Sequence, residues 1–281
     1  MLALPITLVA HNVLQIFVAL HVFLTDNVGS VLNHLAKVNQ IFPFKFFVFC
    51  ALICIFAKLI LNHSSLVRNI MMNMHLISPL LAALKEQKEM GMKGGVYHKT
   101  QIDLTYNSNH IEGSKLTHEQ TRYIFETNTI GMTDDVLNVN DILETVNHFR
   151  CIDLVIEHAT DDLSAGFIKE LHGMLKNGTS DSRKDWFAVG YYKRLPNEVG
   201  GEETCPPELV AERMDALLDD YLGSERRFED ILDLHVRFER IHPFQDGNGR
   251  VGRLVMFKEC LANAIVPFII TDELKFFYYR Q

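Results

Sequence analysis

From about residue 76 the apolar residues recur at helical spacing. Residues 139–160 set Ile142, Leu143, Val146, Phe149, Ile152 and Val155 on one side of a helix. Ser164 suits the N-cap of the next, which should end near Lys176, with Gly178 fit for a left-handed stop. Pro206 and Pro207 should open another, covering Leu209, Val210, Met214, Leu217, Leu218 and Tyr221. Residues 228–241 repeat the pattern with Phe228, Ile231, Leu232, His235, Phe238 and Ile241. A last long helix should start near Asn248 and bury Val251, Leu254, Val255, Leu261 and Ile265. Thr271 and Asp272 then begin a short final one. Residues 186–200, WFAVGYYKRLPNEVG, break this rhythm with aromatic and β-branched residues among glycines and a proline. They predict a small two-stranded hairpin. The expected body is all-α with one hairpin and no βαβ unit.

The N-terminal pattern is of another kind. Residues 1–24 lack Asp, Glu, Lys and Arg, and residues 46–57 (FFVFCALICIFA) form a second apolar run between Lys45 and Lys58. A span needs roughly 20 apolar residues, and flanking lysines can shorten its apolar centre. Three readings of residues 1–75 stay open: a two-span membrane hairpin reaching to residue 62, a helical subdomain packed on the rest, or a stretch foreign to the natural product. Cys50 and Cys54 lie one helical turn apart among Phe, Ile and Leu, and read as buried small apolar residues rather than metal ligands.

Charge divides the chain at the same place. Residues 1–75 carry only Asp26, Lys37, Lys45, Lys58 and Arg68, so the acidic excess of the chain, −8 overall, lies in residues 76–281. An acidic domain is a poor candidate for phosphate-held nucleic acid binding. Five cysteines in 281 residues make no disulfide scaffold and suit a reduced, cytosolic setting.

The densest chemistry is residues 242–253, HPFQDGNGRVGR, between two amphipathic helices. Gly247, Asn248 and Gly249 can turn successive N–H groups inward at a helix N-terminus, which makes an anion site. Arg250 and Arg253 follow at i and i+3, and two guanidinium forks suit a polyphosphate. Asp246 offers a hard oxygen for Mg²⁺ bridging phosphates. His242 is the nearby group that titrates near neutrality. Phe244 reads as an apolar peg fixing the loop to the core. The competing reading is a glycine-rich interhelical loop with two solvated arginines and a surface aspartate. The concentration of base, acid, nest and arginines in twelve residues favours the site. His235 reads as a core or supporting residue, Asp215, Asp219 and Asp220 as a solvated face, and Asn147 and His148 are left without a role.

This stretch resembles the Fic family motif HxFx(D/E)GNGRxxR at every fixed position, with the likeness extending over roughly residues 100–281. The resemblance implies a Fic-type helical bundle in which the hairpin is a flap that pairs with an extended target segment. It implies transfer of AMP from ATP, with Mg²⁺, to a Ser, Thr or Tyr hydroxyl of a target protein, the enzyme itself included. His242 would then be the general base and Asp246 would hold Mg²⁺. Gly247, Asn248 and Gly249 would form the anion hole, with Arg250 and Arg253 on the β- and γ-phosphates. Residues 108–113, Ser-Asn-His-Ile-Glu-Gly, resemble the family's inhibitory motif (S/T)xxxE(G/N). Ser108 and Glu112 would lie on one face of a helix near 102–113, and Glu112 would deny Arg253 to the γ-phosphate. The chain ends at Gln281, where relatives are expected to continue into a further helix. Other chemistries on this fold remain alternatives: phosphotransfer as in the Doc proteins, against which Gly249 argues, phosphocholine transfer, removal of AMP, or a membrane-anchored nucleotide-binding module. The expected setting is a cytoplasmic catalytic domain, anchored if residues 1–62 are genuine. The target and the oligomeric state are not legible.

Overall fold

The computed structural model describes residues 79–131 and 136–278. The apolar stretch and its three readings lie outside the described residues. Nine α-helices are described: α1 Pro79–Met90, α2 Val96–Ile111, α3 His118–Thr127, α4 Val139–Glu157, α5 Ala165–Leu175, α6 Val210–Leu222, α7 Phe228–Ile241, α8 Asn248–Ala262 and α9 Lys275–Tyr278. Two short strands, β1 Glu198–Val199 and β2 Glu202–Glu203, sit between α5 and α6. No helix among the described residues is long and apolar enough to cross a membrane.

Local chemistry sets the helix ends. Thr117 and Gln120 form a reciprocal capping box at the start of α3. The Asn138 side chain accepts from the Asn140 N–H at the start of α4, at 2.9 Å. Ser164 caps α5 as expected, accepting from the Phe167 N–H at 3.2 Å, and Gly178 takes the left-handed angle with φ 74°. α7 stops on His242 itself, whose φ of 53° is left-handed. A non-glycine residue rarely adopts that angle, and it turns the chain abruptly into the loop that follows.

α8 is the axis of the bundle, buried on every side from Asn248 to Leu261. It packs against α7, α4, α5 and α2. Its apolar residues Val251, Leu254, Val255 and Leu261 join one core with Ile152 and Val155 of α4, Leu171 of α5, Met214 of α6 and Phe238 of α7. A helix enclosed on all sides must neutralise its polar residues internally, so Arg250, Arg253, Lys258 and Glu259 are all paired within the protein.

Three expectations shift. The hairpin is narrower and later than residues 186–200. Its strands pair antiparallel, Glu198 with Glu203 and Val199 with Glu202. Gly200 and Gly201, at φ 62° and 88°, supply the two positive angles that a two-residue type I′ turn needs. Residues 186–197 instead form turns fastened to other elements. Phe187 is buried and anchors them, while its neighbour Trp186 is exposed. Leu209 and Phe228, expected inside, are exposed at helix starts. Asp215, Asp219 and Asp220 form the expected solvated face.

Candidate active site

The loop between α7 and α8 is held from three directions. Phe244 is fully buried, and its amide donates to the Asn248 side-chain oxygen at 2.8 Å while the Asn248 amide returns a bond to the Phe244 carbonyl at 2.8 Å. The His172 ring lies flat on Phe244, centroids 4.0 Å apart and planes 5° apart. Gly190 donates its N–H to His172 Nδ1 at 2.9 Å, so the ring proton resides on Nε2 and is donated to the Asp246 carbonyl at 3.1 Å. Burial holds this imidazole neutral, its pKa pushed down to about 4. From the side of the hairpin, Lys193 donates its N–H to the Pro243 carbonyl at 2.8 Å, and the Asn197 amide donates to the Phe244 carbonyl at 3.1 Å.

Within this frame Gly247 adopts φ 81°, and the first turn of α8 follows, where helix amides have no preceding carbonyl to reach. The Gly247 amide faces the Asp246 carboxylate. A methyl group at Gly249 would overlap the Glu112 carboxylate and crowd Arg253 as they stand, so both side chains pack against this glycine. That carboxylate therefore packs beside Gly249 in the first turn of α8.

Arg253 is almost wholly buried and is met by α2. It donates from Nε to Ser108 Oγ at 3.0 Å and from one Nη to the Ser108 carbonyl at 2.9 Å and Glu112 Oε1 at 2.7 Å. Its other Nη reaches the Tyr278 hydroxyl at 3.3 Å. Burial opposes its charge, but Glu112 beside it keeps the guanidinium firmly protonated. Ser108 and Glu112, one turn apart at the end of α2, thus both contact Arg253. Glu112 itself is the cap residue after α2, at φ −84° and ψ 5°, and Gly113 turns the chain away at φ 98°.

Arg250 turns the other way. It is buried and ion-paired with Glu144, with a weaker reach of 3.3 Å to Asp246. Two arginines three apart on a buried helix point to different neighbours, so one faces α4 and the other α2. Asp246 is the exposed member of this group. Partial burial pushes its pKa up, but Arg250 and Lys176 prevail and bring it down to about 2. Its Oδ2 meets Lys176 Nζ at 2.7 Å, and the exposed side of the carboxylate keeps free lone pairs. One such group fits Mg²⁺ delivered with phosphates, since that ion keeps several waters and needs only one or two carboxylates.

His242 lines a cavity of about 410 Å³ together with Val199, Glu202, His235, Glu239 and Tyr278. Its Nδ1 lies 3.3 Å from the Glu239 carbonyl, which leaves Nε2 as the acceptor. Burial, with Lys193 nearby, lowers its pKa. His235 is the supporting residue expected, its Nε2 2.8 Å from the Tyr278 hydroxyl.

Several members of this site carried no signal noticed in the sequence. Lys176, Glu144, Asp181, His172 and Tyr278 converge only in three dimensions, and His148 lies behind the arginines with Nδ1 2.9 Å from Thr105 Oγ1. Asn147 secures the loop after α5 by donating to the Leu175 and Asn177 carbonyls. Glu239 has its Oε1 buried without a partner among the described residues, and burial pushes its pKa up to about 7. Glu144, interrupting the apolar face Ile142–Leu143–Val146, was the readable clue.

The start of α8 opened by Gly247, its two enclosed arginines and the His242 imidazole are thus carried by one loop and the helix that follows it. Residues 162–260 match the model of the Fic/DOC family. It is 25% identical over 179 residues to protein adenylyltransferase Fic of Nematostella vectensis, covering 62% of this chain and 41% of that protein. It is 26% identical to protein adenylyltransferase fic-1 of Caenorhabditis elegans over 63% of this chain and 35% of that one. The chain therefore spans well under half the length of these curated relatives. Among solved structures, a Fic-domain-containing signaling protein from Bacteroides thetaiotaomicron superimposes with a TM-score of 0.58 at 27% identity, covering 72% of this chain and 79% of the other.

Proposed function

We propose that this protein transfers AMP from ATP to a hydroxyl side chain of a target protein, a second copy of the chain included, and that Glu112 restrains it. The observation that carries this reading is the contact set around α8: an acceptor imidazole, a helix-start nest and a buried arginine held by an internal carboxylate share one site.

His242 Nε2 takes the proton of the incoming hydroxyl, whose oxygen attacks the α-phosphorus. The bond from that phosphorus to the bridging oxygen breaks, and pyrophosphate carries away the electron pair. The lowered pKa of His242 keeps the imidazole unprotonated at neutral pH, as a base must be. Charge gathering on the phosphate oxygens is met by the first-turn amides of α8 and its dipole. Asp246 would hold Mg²⁺, which neutralises charge across the phosphates. Arg253, once released by Glu112, is the cation for the distal phosphates, while Arg250 keeps Glu144 and Asp246 in place. The free edges of the β1–β2 hairpin offer main-chain hydrogen bonds to an extended target segment beside the His242 cavity.

The test is mass spectrometry of Glu112→Ala protein after incubation with Mg²⁺ATP labelled at the α- or the γ-phosphate. Incorporation of the α-label with an AMP mass increment is the expected result. Retention of the γ-label alone would replace AMP transfer by phosphotransfer.

A further inference from the structure

The Fic signature accounts for Asp246 but not for what surrounds it. Glu144 of α4, Asp181 in the turn after α5, and Asp246 bring one carboxylate oxygen each to within 4.8 Å of one another. Three carboxylates that close, two of them largely enclosed, resemble a divalent cation pocket, yet the cation present is a side chain. Lys176, at the end of α5 and 1% exposed, inserts its Nζ among all three. It is ion-paired with Glu144, 3.0 Å from Asp181 Oδ2 and 2.7 Å from Asp246 Oδ2.

An ammonium donates three hydrogen bonds in a roughly tetrahedral spread, and here each has an acceptor. A fully enclosed lysine keeps its charge only when so compensated. The same contact turns Asp246. With Oδ2 committed to Lys176 and, more weakly, to Arg250, the carboxylate can rotate little, and its exposed side is presented to the nucleotide face. The neighbouring backbone is fixed independently through His172 and Phe244. Lys176 therefore sets the side chain where His172 sets the main chain.

We infer that Lys176 is a positioning residue for the reaction: it occupies the seat enclosed by Glu144, Asp181 and Asp246, keeps metal out of it, and aims Asp246 at the cation that arrives with the nucleotide. The kinetic part of this inference rests on the AMP-transfer reading, and the metal-exclusion part does not. A carboxylate released from such a partner loses metal affinity by about 10- to 100-fold when the partner only orients it. The emptied pocket should at the same time gain affinity for a bare divalent ion.

Two variants test this, Lys176→Met and Lys176→Arg, each made both alone and with Glu112→Ala. Binding of Mn²⁺ without nucleotide is followed by electron paramagnetic resonance. The protein with Lys176 should bind none tightly, whereas Lys176→Met should take up one ion per chain. With Glu112→Ala, the Mg²⁺ concentration for half-maximal self-transfer should rise about tenfold in either Lys176 variant. If Glu112→Ala alone transfers nothing, the AMP-transfer reading fails and the Mn²⁺ measurement still decides the role of Lys176. Should Lys176→Met not fold, Lys176→Arg decides by its Mg²⁺ dependence. A folded variant with the parent's Mg²⁺ half-saturation and no gained Mn²⁺ would overturn the inference.

Discussion

Replacing Glu112 with alanine separates stability from activity in opposite directions. The backbone at this position, φ −84° and ψ 5°, is ordinary for any L-residue, so alanine removes the side chain without straining the chain. Arg253 loses its 2.7 Å charge-assisted bond and keeps its two bonds to Ser108 and the one to Tyr278. Breaking an enclosed pair costs about 3–5 kcal/mol, but Glu112 is one quarter exposed and Ser108 continues to solvate the guanidinium. A loss of about 2 kcal/mol is expected, which lowers Tm by roughly 4–8 °C for a domain of this size. The freed guanidinium and the uncovered face of Gly249 then serve the nucleotide. A charge-assisted contact of about 1.5–3 kcal/mol corresponds to roughly 10- to 100-fold tighter productive binding. Thermal denaturation with and without Mg²⁺ATP, followed by self-modification measured by intact mass, reads both effects. The variant should melt lower when empty, gain more from nucleotide, and modify itself faster. A lower melting point with unchanged nucleotide affinity and unchanged transfer would refute restraint by Glu112 and leave the pair a structural one.

Further expectations concern the rest of the site. With Glu112→Ala as parent, His242→Ala should abolish transfer while nucleotide binding, measured by calorimetry, persists, because the nest and Arg253 remain; loss of binding would mean that the loop had collapsed. The lowered pKa of His242 predicts an acid limb of kcat/KM centred below the ordinary imidazole value of about 6.5, so a limb centred at or above it would contradict its role as base. Buried His148, His172 and His235, pushed down to about 3, 4 and 4, titrate at about 6.5 when unfolded. The unfolded chain then binds more protons below pH 6.5. Stability is full above that value and falls by up to about 1.4 kcal/mol per pH unit for each group as pH drops toward 4. Urea denaturation at pH 7 and pH 5 giving equal stabilities would contradict that burial. Phe244→Ala should cost about 3–5 kcal/mol in denaturant titrations, since the ring is fully buried against His172, and a loss under 1 kcal/mol would show the loop is held otherwise.

The sequence by itself marked five of the long helices and the contiguous run at the centre of the candidate site. Helical spacing located α4 to α8, because burying one face of a helix imposes a period that any reader of the chain can see. Ser164 announced the start of α5, and the run from His242 to Arg253 is contiguous, so its chemistry was legible before any fold. Ser108 and Glu112 were legible only through family likeness, since nothing in the spacing of α2 relates it to α8, 141 residues on. What tertiary structure decided is which charges meet. Arg250 pairs with Glu144 of α4, a partner that its own stretch of sequence does not name. Lys176 looked like the polar end of a helix and is the enclosed cation of three carboxylates. The hairpin also moved, because residues 186–197 are tied by long-range bonds to the site loop and leave only Glu198–Glu203 free to pair. The physical reason is common to all of these. Apolar burial depends on a residue's own character and its periodic neighbours, whereas a buried charge is tolerable only beside a partner, and that partner can come from any part of the chain.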